Sequence, residues 1–180
     1  MMRVFFGLEP DETSRLAIAD WQSLNQPHDA RPVPAANLHM TLAFIGEVGN
    51  SRLEKICKRT DKQLAEKPVP AFDLVLDSVG YWPKQQLWWI GPTEQPAPLL
   101  QLASQLRNIS RRYNNSDGKK RFRPHMTLAR RCASPPPAAI QAPEFPLRFE
   151  SFALLESRRG RSGGVSYHPL AEWPLAGVWE

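Results

Sequence analysis

Two copies of one pentapeptide supply the side chains best suited to chemistry. His-Met-Thr-Leu-Ala occurs at residues 39–43 and again at residues 125–129. An imidazole titrates near neutral pH and can take up or release a proton. One neutral and one protonated imidazole that face each other across a bound group could act as general base and general acid. The repeat therefore predicts a two-histidine acid–base site built on His39 and His125.

The spacing within each copy indicates a strand that presents histidine and threonine together. Side chains alternate between the two faces of a strand. Thr41 would therefore share a face with His39, and Thr127 a face with His125, while the methionine and leucine of each copy pack on a core. A threonine hydroxyl both donates and accepts hydrogen bonds. Two such strands facing one cleft would place two imidazoles and two hydroxyls around a bound group.

Around these motifs the chain resembles the RNA 2',3'-cyclic phosphodiesterases, also called 2'-5' RNA ligases, of the two-histidine phosphoesterase superfamily. The resemblance rests on the duplicated H-x-T-x pattern and extends to residues 3–8, 37–47 and 123–125. It implies hydrolysis of RNA 2',3'-cyclic phosphate ends to 2'-phosphate ends without a metal or another cofactor. It also implies that His39 donates a proton to the leaving 3'-oxygen and that His125 accepts a proton from water.

The resemblance further implies that Thr41 and Thr127 bind the phosphate. Arg130 follows the second motif directly. It could contact phosphate, stack on a base, or simply be a solvated surface residue, because guanidinium groups serve all three purposes. Neither motif has a second histidine, cysteine or carboxylate at the spacing of a metal site. A single such histidine would most often be an ordinary strand residue, but the duplication favours the catalytic interpretation.

Two other functions remain open at this stage. One is 2'-5' RNA ligation of RNA halves, in which a 5'-hydroxyl replaces water in the same attack. The other is a non-catalytic module that binds nucleotides or RNA ends. Intact H-x-T pairs argue against the second, because binding alone does not require an opposed acid and base.

The composition restricts the class of protein. A chain of 180 residues with 42% hydrophobic residues predicts one compact unit over residues 1–180, in the form of two small lobes. The net charge of +5 favours anionic partners but serves solubility equally well. The two cysteines suit a reducing compartment. Since the sequence has no signal peptide and no run of roughly 20 apolar residues, we expect a cytoplasmic protein without membrane contact. We also expect it to be a monomer. Its expected partners are RNAs with 2',3'-cyclic phosphate ends, among them tRNA fragments.

Several residues outside the motifs carry separate expectations. Three basic clusters could follow an RNA backbone, although each alone is typical of a solvated loop: residues 119–123, 130–131 and 158–161. Phe44 lies three residues after Thr41, so regular alternation places it away from His39 and favours core packing unless the strand is bent or bulged. Core or hairpin positions are expected for Trp82, Trp88 and Trp89, and structural or exposed positions for His28 and His168.

The predicted elements match the fold that the resemblance implies. This is an α+β fold of two pseudo-symmetric lobes, with mostly antiparallel sheets forming a central cleft. Apolar periodicity predicts helices over 11–26, 51–67 and 98–113 and strands over 3–8, 38–45, 72–76, 86–90, 122–130, 149–157 and 165–168. The first helix is expected to bury Leu16, Ala17, Trp21 and Leu24, and Ser51 with Glu54 indicates a capping box for the second.

Overall fold

A computed structural model describes residues 1–114 and 120–177, and over these residues the chain forms three α-helices, one short 3-10 helix (Ala35–Asn37) and ten strands. The helices are α1 (Glu12–Asn25), α2 (Asn50–Glu66) and α3 (Ala97–Ser110). The strands of the first half are β1 (Met2–Leu8), β2 (Arg31–Pro32), β3 (Met40–Val48), β4 (Phe72–Leu76), β5 (Ser78–Trp82) and β6 (Leu87–Gly91). Those of the second half are β7 (Met126–Arg130), β8 (Phe145–Phe149), β9 (Ser151–Arg159) and β10 (Val165–Pro174).

One long sheet carries both motif strands at its centre. The order of its main strands is β10-β9-β1-β3-β7-β6-β5, with the short β2 paired to β7, and every ladder is antiparallel. The two lobes are therefore the two halves of this sheet, which join where β3 meets β7. A separate ladder of β4 and β8 is also antiparallel. The α+β fold with mostly antiparallel sheets is confirmed.

The two faces of the long sheet have different surroundings. On β1, Val4, Phe6 and Leu8 are buried in the main core together with side chains from all three helices. Phe5 belongs instead to a small cluster with Ala153 and Leu155 on the opposite face. The helices and the β4–β8 ladder thus cover one face, and the other face forms the floor of the central cleft.

Polar side chains decide which face of α1 is buried. Ile18 and Trp21 face the core, but the buried set continues with Gln22 and Asn25. The expected stripe is wrong at Leu16, Ala17 and Leu24, which are exposed. The Asn25 amide donates to the Trp21 carbonyl, and its oxygen accepts from the Ile140 amide. Burial of these groups is tolerated because their hydrogen bonds are made within the protein.

Other boundaries also differ from the sequence expectations. Helix α2 begins at Asn50 after Gly49 and has no side-chain cap, so the capping box of Ser51 and Glu54 is wrong. Residues 78–82 form strand β5, which apolar periodicity did not predict. This strand pairs with β6, whereas β4 pairs with β8. Cys57 and Cys132 are free thiols. Within the described residues, the helices are too short or too polar to cross a lipid bilayer.

Candidate active site

The two motifs meet around an approximate two-fold axis. Strands β3 and β7 are antiparallel, and Met40 pairs with Met126, the equivalent residue of the other motif. Extending this register by one residue places His39 opposite Thr127 and Thr41 opposite His125. Side chains directly opposite in an antiparallel pair are about 5 Å apart at Cβ. Each histidine therefore lies beside the threonine of the other repeat, and the four polar side chains share one face of the sheet.

A β-bulge at the same point of each motif changes which side chains follow on this face. Gly7 pairs with Thr41 and Phe6 with Ala43, so one residue of β3 between them, Leu42, is unpaired. In the second motif Trp89 pairs with Thr127 and Trp88 with Ala129, which leaves Leu128 unpaired. All four leucine and alanine side chains of the two bulges are buried. The bulges reverse the alternation beyond them, as an extra residue in a strand must.

The reversed alternation brings Phe44 and Arg130 to the cleft. Phe44 lines the same groove as Thr41 and His125, so the expectation from regular alternation that it faces away from His39 is wrong. Arg130 is the equivalent residue after the second motif, and its charge lowers the pKa of both histidines. The bulge thus places Arg130 on the face of β7 that carries the imidazoles, and a cation there disfavours a second positive charge on either ring.

A buried glutamine holds the bulge that directs Arg130. The Gln22 side-chain amide donates to the Leu128 carbonyl at 2.6 Å and to the Val33 carbonyl at 2.9 Å. The Val33 backbone amide also donates to the Leu128 carbonyl at 2.9 Å. A bulge interrupts the regular ladder, and these bonds occupy the carbonyl of its unpaired residue. Helix α1 thereby fixes the strand segment that carries Arg130.

Both imidazoles are held in the same orientation by the backbone. His39 Nδ1 lies 2.7 Å from the Asn37 carbonyl oxygen, and His125 Nδ1 lies 2.7 Å from the Arg123 carbonyl oxygen. A carbonyl only accepts, so each neutral ring carries its proton on Nδ1 and leaves Nε2 unprotonated. His39 Nε2 is 3.1 Å from the Thr41 hydroxyl, which therefore donates to it. The Nε2 atoms are the positions at which these rings can accept or deliver a proton.

Burial controls the protonation of the two rings. Desolvation lowers the pKa of His39 to about 4, against the opposing effect of the hydrogen bond to Asn37, and the charges of Arg130 and His125 lower it further. The pKa of His125 is lowered by burial and by Arg130, and the hydrogen bond to Arg123 opposes that shift. Both imidazoles are thus neutral at pH 7 in the free protein, and each is ready to act as a base.

Aromatic side chains pack against each imidazole, and they differ between the two halves. The His39 ring lies 5.1 Å from the Phe5 ring and 4.7 Å from the Tyr167 ring. The His125 ring contacts Trp82 at 4.6 Å, and Trp82 in turn lies 5.3 Å from Trp89. His39 is therefore enclosed by two rings from β1 and β10, and His125 lies against a tryptophan pair at the opposite side of the cleft.

Glycine makes room for the tryptophan pair. A Cβ atom on Gly80 would lie 2.1 Å from the Trp89 ring, so this ring rests directly on the backbone of β5. Trp82 lies at the end of β5 in the β5–β6 hairpin, as expected, and it also lines the cleft. Trp88 is buried in the core, as expected. Sequence reasoning also missed Phe5 and Tyr167. Their only signal is the alternation of β1 and β10, and it does not reveal that their face is the cleft.

The other two histidines lie outside the cleft, and the fold places two of the basic clusters in different parts of the molecule. His28 is exposed, and His168 shares a hydrogen bond with Ser166, in agreement with their expected roles. In the first basic cluster, Lys120, Arg121 and Arg123 line a groove beside His125, and Lys119 lies outside the described residues. The cluster of residues 158–161 is at the β9–β10 hairpin, where Arg158 is paired with Glu156 at 2.8 Å.

Comparison with solved structures supports the same arrangement. The crystal structure of Escherichia coli LigT complexed with 3'-AMP superposes with a TM-score of 0.85 at 32% identity and covers 97% of this chain and 98% of that one. The crystal structure of TT0787 of Thermus thermophilus superposes with a TM-score of 0.80 at 28% identity, covering 98% of this chain and 100% of that one. The shared fold therefore extends over essentially the whole chain.

Sequence comparisons lead to the same family. The RNA 2',3'-cyclic phosphodiesterase of Escherichia coli (strain K12) is 35% identical over an alignment that covers 96% of this chain and 96% of its own. The protein of the same name from Thermus thermophilus is 32% identical over 98% of this chain and 91% of its own. A family model described as the 2'-5' RNA ligase superfamily matches residues 10–161. This chain belongs to the 2'-5' RNA ligase superfamily.

Proposed function

We propose that this protein is an RNA 2',3'-cyclic phosphodiesterase that hydrolyses RNA 2',3'-cyclic phosphate ends to 2'-phosphate ends. The observation that carries the proposal is the two-fold arrangement of the motifs, in which two imidazoles with available Nε2 atoms flank one cleft. Relatives with near full-length similarity bear the name of this activity. Both halves of a single chain contribute to the site, which supports our proposal that a monomer suffices for activity.

The reaction uses the imidazoles on opposite sides of phosphorus. His125 Nε2 accepts a proton from water as the water oxygen attacks phosphorus, and the bond to the 3'-oxygen breaks in line with that attack. His39 Nε2 donates a proton to the leaving 3'-oxygen. Thr41, Thr127 and Arg130 bind the non-bridging oxygens, where donors oriented in advance stabilise the developing charge. Each acid or base contributes typically about 10²- to 10⁴-fold to the rate.

Substrate binding must alter the protonation of the site. The pKa of His39 is about 4 in the free protein, so this ring carries no proton on Nε2 at pH 7. A phosphodiester anion bound between the imidazoles favours an imidazolium, because an opposite charge nearby raises the pKa of a histidine. The bound state therefore takes up one proton, and Nε2 of His39 receives it as the donor.

The dependence of the rate on pH should show this proton uptake. The value of kcat/KM reports the free enzyme, in which one imidazole must be charged and the other neutral. Because burial lowers the pKa of both below 6.5, we expect kcat/KM to be maximal below pH 6.5 and to fall about tenfold per pH unit above it. The profile of kcat should extend to higher pH. Steady-state rates from about pH 4.5 to 9 measure the profiles of kcat/KM and of kcat. If kcat/KM began to fall only above about pH 7.5, the mechanism would be contradicted.

Hydrolysis should not depend on a divalent metal. The described residues contain no group of three or more histidine, cysteine, aspartate and glutamate side chains that could hold an ion, and two imidazoles suffice for proton transfer. We expect full turnover of a 2',3'-cyclic nucleotide in excess chelator, with the 2'-phosphate as product. Chromatography against both isomers measures the product. Loss of activity in chelator that a divalent metal restores would refute metal independence. A 3'-phosphate product would refute the proposed direction of bond cleavage.

Ligation of RNA is a second candidate, favoured by the description of the matching family. If a 5'-hydroxyl replaces water, the same in-line attack joins two RNAs through a 2'-5' linkage, with the same imidazole as base. RNA halves with a cyclic phosphate and a 5'-hydroxyl, tRNA fragments among them, are the substrates that would test it. The same assay separates both reactions from a non-catalytic RNA-end-binding module, which would bind these RNAs without converting them.

A further inference from the structure

A basic groove begins at the candidate active site and extends away from it. It encloses about 860 Å³ and is bordered at one end by Thr41 and His125. This volume lies near the upper limit of small-molecule pockets, which hold about 300–1,000 Å³. A cyclic phosphate between the imidazoles needs only the end of such a space. The rest of the groove is therefore available to whatever is covalently attached to that phosphate.

The charges of the groove indicate an anionic occupant. Among its lining residues that the structure describes, five are basic and none is acidic; the basic ones are Lys84, Arg107, Lys120, Arg121 and Arg123. Lys84 and Arg121 are exposed. The Arg107 guanidinium donates to the Lys120 carbonyl, which ties helix α3 to this wall. A one-sided arrangement of cations in a cleft raises the local concentration of polyanions.

Aromatic side chains accompany these cations. Phe44, Trp82 and Phe122 are half-buried and line the groove, and the Arg123 guanidinium carbon lies 6.0 Å from the centre of the Trp82 ring. Cations that follow a backbone together with rings on which bases stack are the elements of single-strand binding sites. Double-stranded RNA offers no unstacked bases for such rings.

We propose that this groove binds the single-stranded RNA chain attached to the cyclic phosphate, with Lys84 and Arg121 contacting its backbone. The proposal rests on the proposed function and specifies where the RNA chain beyond the cyclic phosphate lies and which side chains contact it. It also assigns different roles to two of the basic clusters, residues 119–123 and residues 158–161. The groove cations bind RNA, and the arginines of the β9–β10 hairpin do not.

The test compares two variants with equal loss of charge. Lys84→Gln/Arg121→Gln removes two cations from the groove, and Arg159→Gln/Arg161→Gln removes two exposed cations from the hairpin. The substrates are a single-stranded RNA of twelve nucleotides with a 2',3'-cyclic phosphate end and a 2',3'-cyclic mononucleotide. For each pair, kcat/KM is measured at several salt concentrations.

For the RNA, we expect the groove variant to lose roughly tenfold in kcat/KM at low salt. The slope of log kcat/KM against log salt should also become shallower by about 1.4, because each single-strand phosphate contact contributes about 0.7. The mononucleotide rate should stay within about twofold of wild type, since that substrate has no further phosphates. The hairpin variant should match wild type with both substrates.

Two results would overturn the groove assignment. One is an unchanged RNA salt slope in the groove variant, and the other is an equal change in the hairpin variant. Failure of the proposed function is recognised separately, because the wild-type protein would then not hydrolyse the cyclic mononucleotide at all. Since all four substituted side chains are exposed, neither variant should affect folding, and thermal unfolding of both provides the control.

Discussion

Replacing either motif histidine by asparagine is expected to reduce kcat for a 2',3'-cyclic nucleotide by about 10²- to 10⁴-fold. The asparagine amide can still donate to the carbonyl that now accepts from Nδ1, at Asn37 or Arg123. It cannot transfer a proton as Nε2 does. The loss should therefore appear in kcat with the fold retained, and single-turnover rates with circular dichroism would measure both.

A matched control is His28→Asn, because His28 is exposed and outside the cleft; its rate should equal that of wild type. A substrate with sulfur in place of the bridging 3'-oxygen distinguishes the two roles. Since a thiolate leaves without protonation more readily than an alkoxide, this substrate should restore much of the rate of His39→Asn and little of that of His125→Asn. The reverse pattern would exchange the proposed roles. A near-wild-type rate in either variant with the ordinary substrate would eliminate the two-imidazole mechanism.

Arg130→Gln is the second substitution with a large expected effect. The loss of a preset donor to the developing charge costs about 10²- to 10³-fold in kcat. Arg130 also adds to the effect of burial in lowering the pKa of both histidines. Its removal should therefore shift the limbs of kcat/KM to higher pH. Rates measured against pH give both the loss in kcat and the shift of the kcat/KM limbs. Together these two results identify a cation that acts on the substrate and on the imidazoles.

The control for this substitution is the neighbouring residue. Arg131→Gln removes the same charge from an exposed side chain one position further along the chain, and it should leave both kcat and the pH limbs near those of wild type. If Arg130→Gln lowered the rate with no movement of the pH limbs, its charge would not act on the histidines in solution. If it changed neither property, Arg130 would be a solvated surface residue.

The duplicated motif made the buried face of both motif strands predictable. Period-two alternation requires Met40 and Leu42 to oppose His39 and Thr41, and both apolar side chains are buried as that pattern demands. The same holds in the second copy. The α+β class followed from the resemblance and agrees with the superposed structures. These predictions succeed because they depend only on local periodicity and on residues adjacent in sequence.

The remaining features depend on contacts that no local pattern contains. The bulges at Leu42 and Leu128 arise from pairing with β1 and β6, and without them Phe44 and Arg130 would face away from the cleft. The buried face of α1 includes Gln22 because the carbonyls of Val33 and of the distant Leu128 accept its hydrogen bonds. Apolar periodicity assigns a glutamine to solvent, so it cannot predict a buried side chain whose partner is 106 residues away.

Because the two motifs are related by an approximate two-fold axis, they do not by themselves decide which histidine is the acid and which is the base. Each half-site receives an imidazole, a hydroxyl and the same backbone anchor on Nδ1. A symmetric frame of this kind would allow a nucleophile to enter from either side. Chemical polarity must come from what differs between the halves. Phe5 and Tyr167 surround His39, whereas Trp82 and an open basic groove lie beside His125. The residue that follows the motif is Phe44 in the first half and Arg130 in the second. After duplication, divergence of these flanking residues would be sufficient to turn two interchangeable histidines into an acid and a base.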